Sequence, residues 1–297
     1  MTSVTGEATT PDGTSLLIRA WPSAGQAWAA VLIVHGFGEH SGRYDSVAEP
    51  LARAGLEVRS FDQRGFGSSG GRRAFVDRWE QLGEDVRDRL TALRSELPAV
   101  PIVLYGHSLG GLVVLDAVTR GAVRADALIL SAPALGDAIP PWRRRVAKVL
   151  DRIVPTLRVP SGMPGDGLSR DPAVAAAVAG DALNLSWSTV RLGAAAFRAQ
   201  DTLGTRLAAL RDLPVPTYVL HGDADPIVPV GSSEVLMRFP SVTRIVHAGL
   251  RHEPHHEPEA PAVVDSIIAW LRDVTRPSTV VSPVARTAAA VAYTRAQ

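Results

Sequence analysis

Apolar residues come in short unbroken runs, separated by longer stretches in which they recur every three or four positions. The runs at 15–21 (SLLIRAW), 29–34 (AAVLIV), 56–62 (LEVRSFD), 102–106 (IVLYG), 126–131 (DALILS), 216–221 (PTYVLH) and 243–248 (TRIVHA) read as strands. Most show no polar alternation, which is the pattern of strands covered on both faces. The stretches 43–55, 77–97, 108–121, 231–239 and 259–273 read as helices. Strands alternating with helices predict an α/β architecture, a mostly parallel central sheet flanked by helices. Pro11-Asp12-Gly13 is a turn signal ahead of the first run and predicts an antiparallel hairpin at one sheet edge.

The alternation breaks once. Residues 137–205 carry no strand pattern; PPWRRRVAKVLDRIVP is followed by a Gly/Pro-rich stretch and then by Ala-rich helical sequence. The expected organisation is a core of 1–136 and 206–275, interrupted by a helical cap insertion at 137–205. Residues 276–297 show no clear period and read as a loose C-terminal tail.

Composition narrows the chemistry. The 297 residues are 46% hydrophobic and 21% charged, which excludes disordered and coiled-coil classes. Arg plus Lys number 31 against 30 Asp plus Glu, so the chain carries no nucleic-acid footprint and suits an uncharged or zwitterionic substrate. Cysteine is absent, which removes thiol nucleophiles and thiolate metal sites and is compatible with a reducing compartment. No basic start with an apolar run is seen at the N-terminus, and no window is long enough to span a bilayer. The expected location is cytoplasmic, with peripheral membrane contact as a variant of it.

The run 102–106 ends in Gly106-His107-Ser108-Leu109-Gly110, and a helical pattern follows. A serine between glycines at a strand-to-helix turn is the arrangement of an exposed nucleophile. Side chains at Gly106 and Gly110 would collide with neighbouring backbone, and the Leu109 N–H would face an oxyanion formed at Ser108. The run 29–34 ends in His35-Gly36-Phe37-Gly38, where the Phe37 N–H is the expected second oxyanion donor. His35 and His40 read as structural.

HGFGEHSGRY at 35–44, DQRGFGSSGGRR at 62–73 and GHSLGG at 106–111 resemble the monoacylglycerol lipase / lysophospholipase branch of the α/β-hydrolases. SAPAL, LSRDPAV, HGDADPIV and GLRHEPHHEPE follow in that branch's order, so the resemblance covers roughly residues 10–273. It implies the α/β-hydrolase fold with an inserted cap, and a serine ester hydrolase acting through an acyl-enzyme on Ser108. It also implies a small acyl-ester lipid as substrate, with no cofactor and no metal. Asp223 and Asp225 both follow the strand at 216–221; the resemblance places the acid at Asp225 and leaves Asp223 to hold the turn. His247, His252, His255 and His256 lie near the last strand. The His-Glu pair of the branch falls on His252-Glu253, which makes His252 the base and leaves His255 and His256 at the surface. Where the branch usually shows Asn, this chain has His256.

Two motifs compete with this reading. His252-Glu253-Pro254-His255-His256 matches H-E-x-x-H, but Pro254, Pro258 and Pro261 break the helix that zinc ligation needs. Gly65-Phe66-Gly67-Ser68-Ser69-Gly70 matches G-x-G-x-x-G, but loop-like sequence follows where a dinucleotide site needs a helix. In the cap, Ile139, Trp142, Val146, Val149, Leu150, Ile153, Val154 and Leu157 recur at near-helical spacing. They suit core packing, an acyl tunnel or a lipid-facing surface. Arg143-Arg144-Arg145 reads either as a solvated face or as a transient contact with anionic headgroups. A general carboxylesterase, an aminopeptidase and a non-catalytic binding protein on the same scaffold remain as alternatives, and the oligomeric state stays open.

Overall fold

The computed structural model describes residues 3–163 and 165–275; the expected tail at 276–297 lies outside the described residues. Eight strands form one sheet in the order β1-β2-β4-β3-β5-β6-β9-β10. They are β1 Val4–Thr9, β2 Ser15–Trp21, β3 Ala29–Val34, β4 Leu56–Phe61, β5 Ile102–His107, β6 Ala127–Ser131, β9 Thr217–Gly222 and β10 Val242–His247. β1 and β2 are the antiparallel edge hairpin, and every pairing from β4 to β10 is parallel.

The unbroken apolar runs are explained by two cores. In β3, Ala30, Leu32 and Val34 face the first, with α2 Glu80–Glu96, α3 Leu109–Thr119 and α6 Val190–Ala209. Ala29, Val31 and Ile33 face the second, with α1 Asp45–Arg53 and α7 Ala260–Val274. Fully burying one such side chain contributes about 1.5–3 kcal/mol. α3 is apolar almost all round because it is buried almost all round, which explains its weak amphipathic pattern.

The structure departs from expectation in three places. The stretch 231–239 is a 3₁₀ segment, Val230–Arg238. The stretch expected to be a purely helical insertion holds two strands, β7 Arg158–Pro160 and β8 Trp187–Thr189, paired antiparallel with each other. Three residues are too few for a period of two to be read, and Pro160 obscures one of them. The expected boundary at 205/206 falls inside α6, whose Leu192, Leu203 and Leu207 pack into the first core. The other helices between β6 and β9 are α4 Pro141–Leu150 and α5 Pro172–Gly180.

In a parallel sheet the loops that leave the carboxyl ends of the strands share one edge. Here these are residues 35–40 after β3, Ser108 after β5, 223–229 after β9 and 248–257 after β10.

Candidate active site

Ser108 sits between β5 and α3 with φ 50° and ψ −115°. A non-glycine residue in that region costs on the order of 1–3 kcal/mol and persists only where the surroundings impose it. They do so here. The Ser108 N–H donates to Ser131 O at 2.9 Å, and Ser108 O accepts from Leu112 and Ala134 N–H at 3.1 and 3.0 Å. A Cβ on Gly106 would come within 2.5 Å of Val114, and one on Gly110 would strike the carbonyls of Val34 and His35.

The three expected side chains meet at this turn. His252 Nε2 lies 2.9 Å from Ser108 Oγ, and His252 Nδ1 lies 2.7 Å from Asp225 Oδ2. All three are buried. Asp225 Oδ1 accepts the Ile227 and Val228 N–H groups at 2.8 and 2.9 Å. Burial alone would raise the Asp225 carboxyl, but the hydrogen bonds from His221 and His252 outweigh it and hold the group well below the usual carboxylate range. An ionised Asp225 can only accept, so Nδ1 of His252 carries the proton and Nε2 is left to accept from the Ser108 hydroxyl. Asp223, the other candidate, takes the Gly249 N–H at 2.6 Å and ties the two loops together.

Phe37 packs edge-on against Phe66, with ring centres 5.8 Å apart, and borders the cavities on both sides of Ser108. Among the described residues no hydrogen bond takes up the N–H of Phe37 or of Leu109. The backbone just before Phe37 is fixed by Glu39, whose Oε1 accepts from Gly36 N at 2.5 Å and from Tyr44 OH at 2.9 Å.

Several contributors escaped the sequence reading. Arg43 donates to Glu39 at 2.8 Å and to both oxygens of Glu253 at 2.7 Å, joining the loop after β3 to the loop that carries His252. Burial opposes ionisation of Glu39 and Glu253, yet Arg43 beside both, together with His256 at Glu253, holds them low. Glu39 and Arg43 are four positions apart, a legible spacing, but Glu253 is 210 positions from Arg43. His107, one residue before Ser108, is pushed down to about 4, first by burial and then by His252, and is neutral at neutral pH.

His255 and His256 are not at the surface as expected. Pro254–His256 forms a 3₁₀ turn that tucks under the start of α1. His255 is 0% exposed and stacks on Tyr44 at 5.1 Å. His256 is mostly buried, with Nδ1 2.7 Å from Glu253 and Nε2 2.7 Å from Arg43 O.

The competing motifs resolve the same way. Glu253, His255 and His256 place metal-type ligand atoms within 4.8 Å of one another, but Glu253 is committed to Arg43 and both nitrogens of His256 are engaged. His252 of H-E-x-x-H has both its nitrogens on Ser108 and Asp225. The 65–70 glycine loop is followed by no helix until Glu80, and it wraps Asp62, which takes the Ser68 N–H at 2.8 Å.

Two cavities meet at Ser108. One, about 310 Å³, sets Glu39, Arg43, Asp181 and Asn184 among mostly apolar walls that include Met163, Leu168, Val178 and Leu185. The other, about 370 Å³, is walled mainly by apolar residues such as Ile139, Leu192, Phe197 and Val228. A larger open groove of about 1180 Å³, between α2 and the α3–β6 connection, holds none of the candidate residues.

The profile of the serine aminopeptidase S33 family matches residues 25–259. The chain is 35% identical over 268 residues to a protein named monoacylglycerol lipase from Mycolicibacterium smegmatis, covering 87% of this chain and 93% of the relative. It is similar to the crystal structure of Paleococcus ferrophilus monoacylglycerol lipase, with TM-score 0.74 and 28% identity over 92% of this chain and 100% of that one. A soluble variant of monoglyceride lipase from Saccharomyces cerevisiae matches at TM-score 0.84 with 22% identity, over 93% and 97% of the two chains, and shows the fold alone.

Proposed function

Since the chain belongs to the serine aminopeptidase S33 family of α/β-hydrolases and is a serine ester hydrolase, we propose that it cleaves monoacylglycerol or lysophospholipid through an acyl-enzyme on Ser108. The observation that carries this is the hydrogen-bonded line Ser108–His252–Asp225 at the junction of two mostly apolar cavities, one of which also presents Glu39, Arg43 and Asp181. The acyl chain occupies the cavity walled by Ile139, Leu192, Phe197 and Val228, and the head group the one beside Glu39, Arg43 and Asp181. Ser108 Oγ attacks the ester carbonyl while His252 Nε2 takes its proton, and Asp225 stabilises the resulting imidazolium. The Phe37 and Leu109 N–H groups hold the oxyanion, a donor worth about 3–4 kcal/mol to the transition state. Collapse expels the alcohol, which takes the proton from His252. Water then gives a proton to His252 as it attacks the acyl-enzyme, and His252 returns that proton to the departing Ser108 Oγ, releasing the fatty acid and the free hydroxyl.

Each methylene buried contributes about 0.8 kcal/mol, so kcat/KM is expected to rise about fourfold per carbon until the cavity is filled. A p-nitrophenyl ester series from acetate to dodecanoate, run beside monoacylglycerols, lysophospholipids and amino-acid anilides, measures this. Activity that falls with chain length, or that favours the anilides, would overturn the lipid reading in favour of a short-chain esterase or an aminopeptidase.

We also propose a peripheral membrane contact through α4. That helix has no buried residue, and Trp142 (59% exposed), Val146, Val149 and Ile153 (70% exposed) form an apolar stripe beside Arg145 and Arg152. Arg144 holds the helix from its other side through Asp137 and Asp201. No helix among the described residues is long and apolar enough to cross a membrane. Replacing Val149 and Ile153 together by serine is expected to cut co-sedimentation with anionic vesicles at least tenfold while leaving hydrolysis of a soluble ester unchanged. Equal sedimentation of variant and parent would exclude α4 as the contact.

A further inference from the structure

His221 is the penultimate residue of β9, is fully buried, and has no part in the proton path from Ser108 to Asp225. Its Nε2 faces two acceptors, Asp225 Oδ2 at 3.1 Å and the Val228 carbonyl at 3.0 Å. Neither can donate, so Nε2 carries the proton and Nδ1 must accept. Nδ1 lies 3.1 Å from Ser233 Oγ. Ser233 Oγ accepts from Arg244 Nε at 3.0 Å, and the Val230 carbonyl beside it already receives Arg244 Nη2 at 2.8 Å. The Ser233 hydroxyl donates to the same carbonyl at 3.0 Å, so the tautomer of His221 is set by the two acceptors at its Nε2.

We propose that His221 is a positioning residue for the catalytic acid, held by the Val228 carbonyl and the Asp225 carboxylate at its Nε2 in the tautomer that donates to Asp225. The inference rests on the serine hydrolase reading above. The oxygen that receives His221 is the one that receives His252, while Oδ1 takes two backbone N–H groups. All four lone-pair directions of the carboxylate are therefore occupied, and it cannot rotate away from His252. The His221 donor also draws charge from Oδ2 and tempers the pull of Asp225 on the His252 proton. Without it the imidazolium is held harder. Other charged and titratable groups face this line. They are His107, whose ring centre is 4.9 Å from that of His252, the Glu39–Arg43–Glu253 cluster behind His252, and Arg244 from β10.

The test is a pH profile of kcat and KM. His221→Leu is expected to lower kcat ten- to a hundredfold with KM within twofold, and to move the acid limb of kcat/KM to higher pH. His221→Gln, whose amide nitrogen reaches near the Nε2 position, recovers most of the loss and moves the limb back. A folded His221→Leu with the parental kcat and profile overturns the proposal. So does equal damage in both variants without displacement of the acid limb, which is the result of a packing role alone. If His221→Leu does not fold, the ¹H–¹⁵N spectrum of the parent decides: an Nε2–H tautomer at His221 supports the proposal and an Nδ1–H tautomer overturns it. Failure of the underlying hydrolase reading is distinguishable, because there the parent itself shows no Ser108-dependent esterase activity.

Discussion

Ser108→Ala is expected to lower kcat for ester hydrolysis by about 10⁴–10⁶-fold while changing stability by less than about 1 kcal/mol. The size of the loss follows from what remains. With Oγ gone, His252 Nε2 has no hydroxyl to deprotonate, and Asp225 continues to orient a base that serves nothing. The Phe37 and Leu109 N–H groups still polarise a bound carbonyl, so a residue of catalysis by water survives. The small effect on stability follows from the turn. Alanine tolerates the 50° φ about as well as serine does, and the bonds that clamp the turn use the main chain of residue 108. Steady-state kinetics on a soluble ester and a thermal melt measure both parts. A fluorophosphonate probe should label the parent and not the variant. Turnover near the parental rate by a folded Ser108→Ala would assign the nucleophile elsewhere.

Legibility in the sequence tracked the range of the interaction. Ser108 was readable because everything that forces its turn lies within a few residues: an apolar strand, two glycines and an apolar helix. The sheet was readable because its strands are buried on both faces and their runs are unbroken. His252 among four histidines, and Asp225 beside Asp223, needed the family resemblance, since local pattern offered each more than once. What local pattern could not supply was partnership. Arg43 meets Glu253 across 210 positions, and His256 meets Arg43 across 213. His255 reads as a polar loop residue, yet a 3₁₀ turn carries it beneath Tyr44. The apolar spacing of α4 was visible, but the same spacing serves a core or a surface, and only the packing shows that its stripe faces outward.

Acid is expected to unfold this protein at a pH well above that of ordinary carboxylate titration. His35 and His255 are pushed down mainly by burial, and His107 is brought to about 4 for the same reason with His252 adding to it. Each binds a proton in the unfolded chain near pH 6.5 and resists one in the fold. The unfolded state therefore holds more protons below about pH 6.5, for His107 down to about 4, and stability falls as pH falls, by at most about 1.4 kcal/mol per unit for each group. Three groups displaced in the same direction act together against a total stability on the order of 5–15 kcal/mol for a domain. Below that window Asp225, Glu39 and Glu253, all held low in the fold, add losses of the same sign. Asp85, raised by burial in spite of Arg64, returns a small part near pH 4. Urea midpoints or melting temperatures taken from pH 7.5 to 4.5 should show the steep decline, and a flat response down to pH 5 would contradict it. His255 isolates one share of the effect. Among the described residues neither of its ring nitrogens has a hydrogen-bond partner, so His255→Phe keeps the stack on Tyr44 and removes only the proton site. That variant is expected to lose stability more gently with acid, by about 1.4 kcal/mol per pH unit less than the parent, with esterase activity at neutral pH retained.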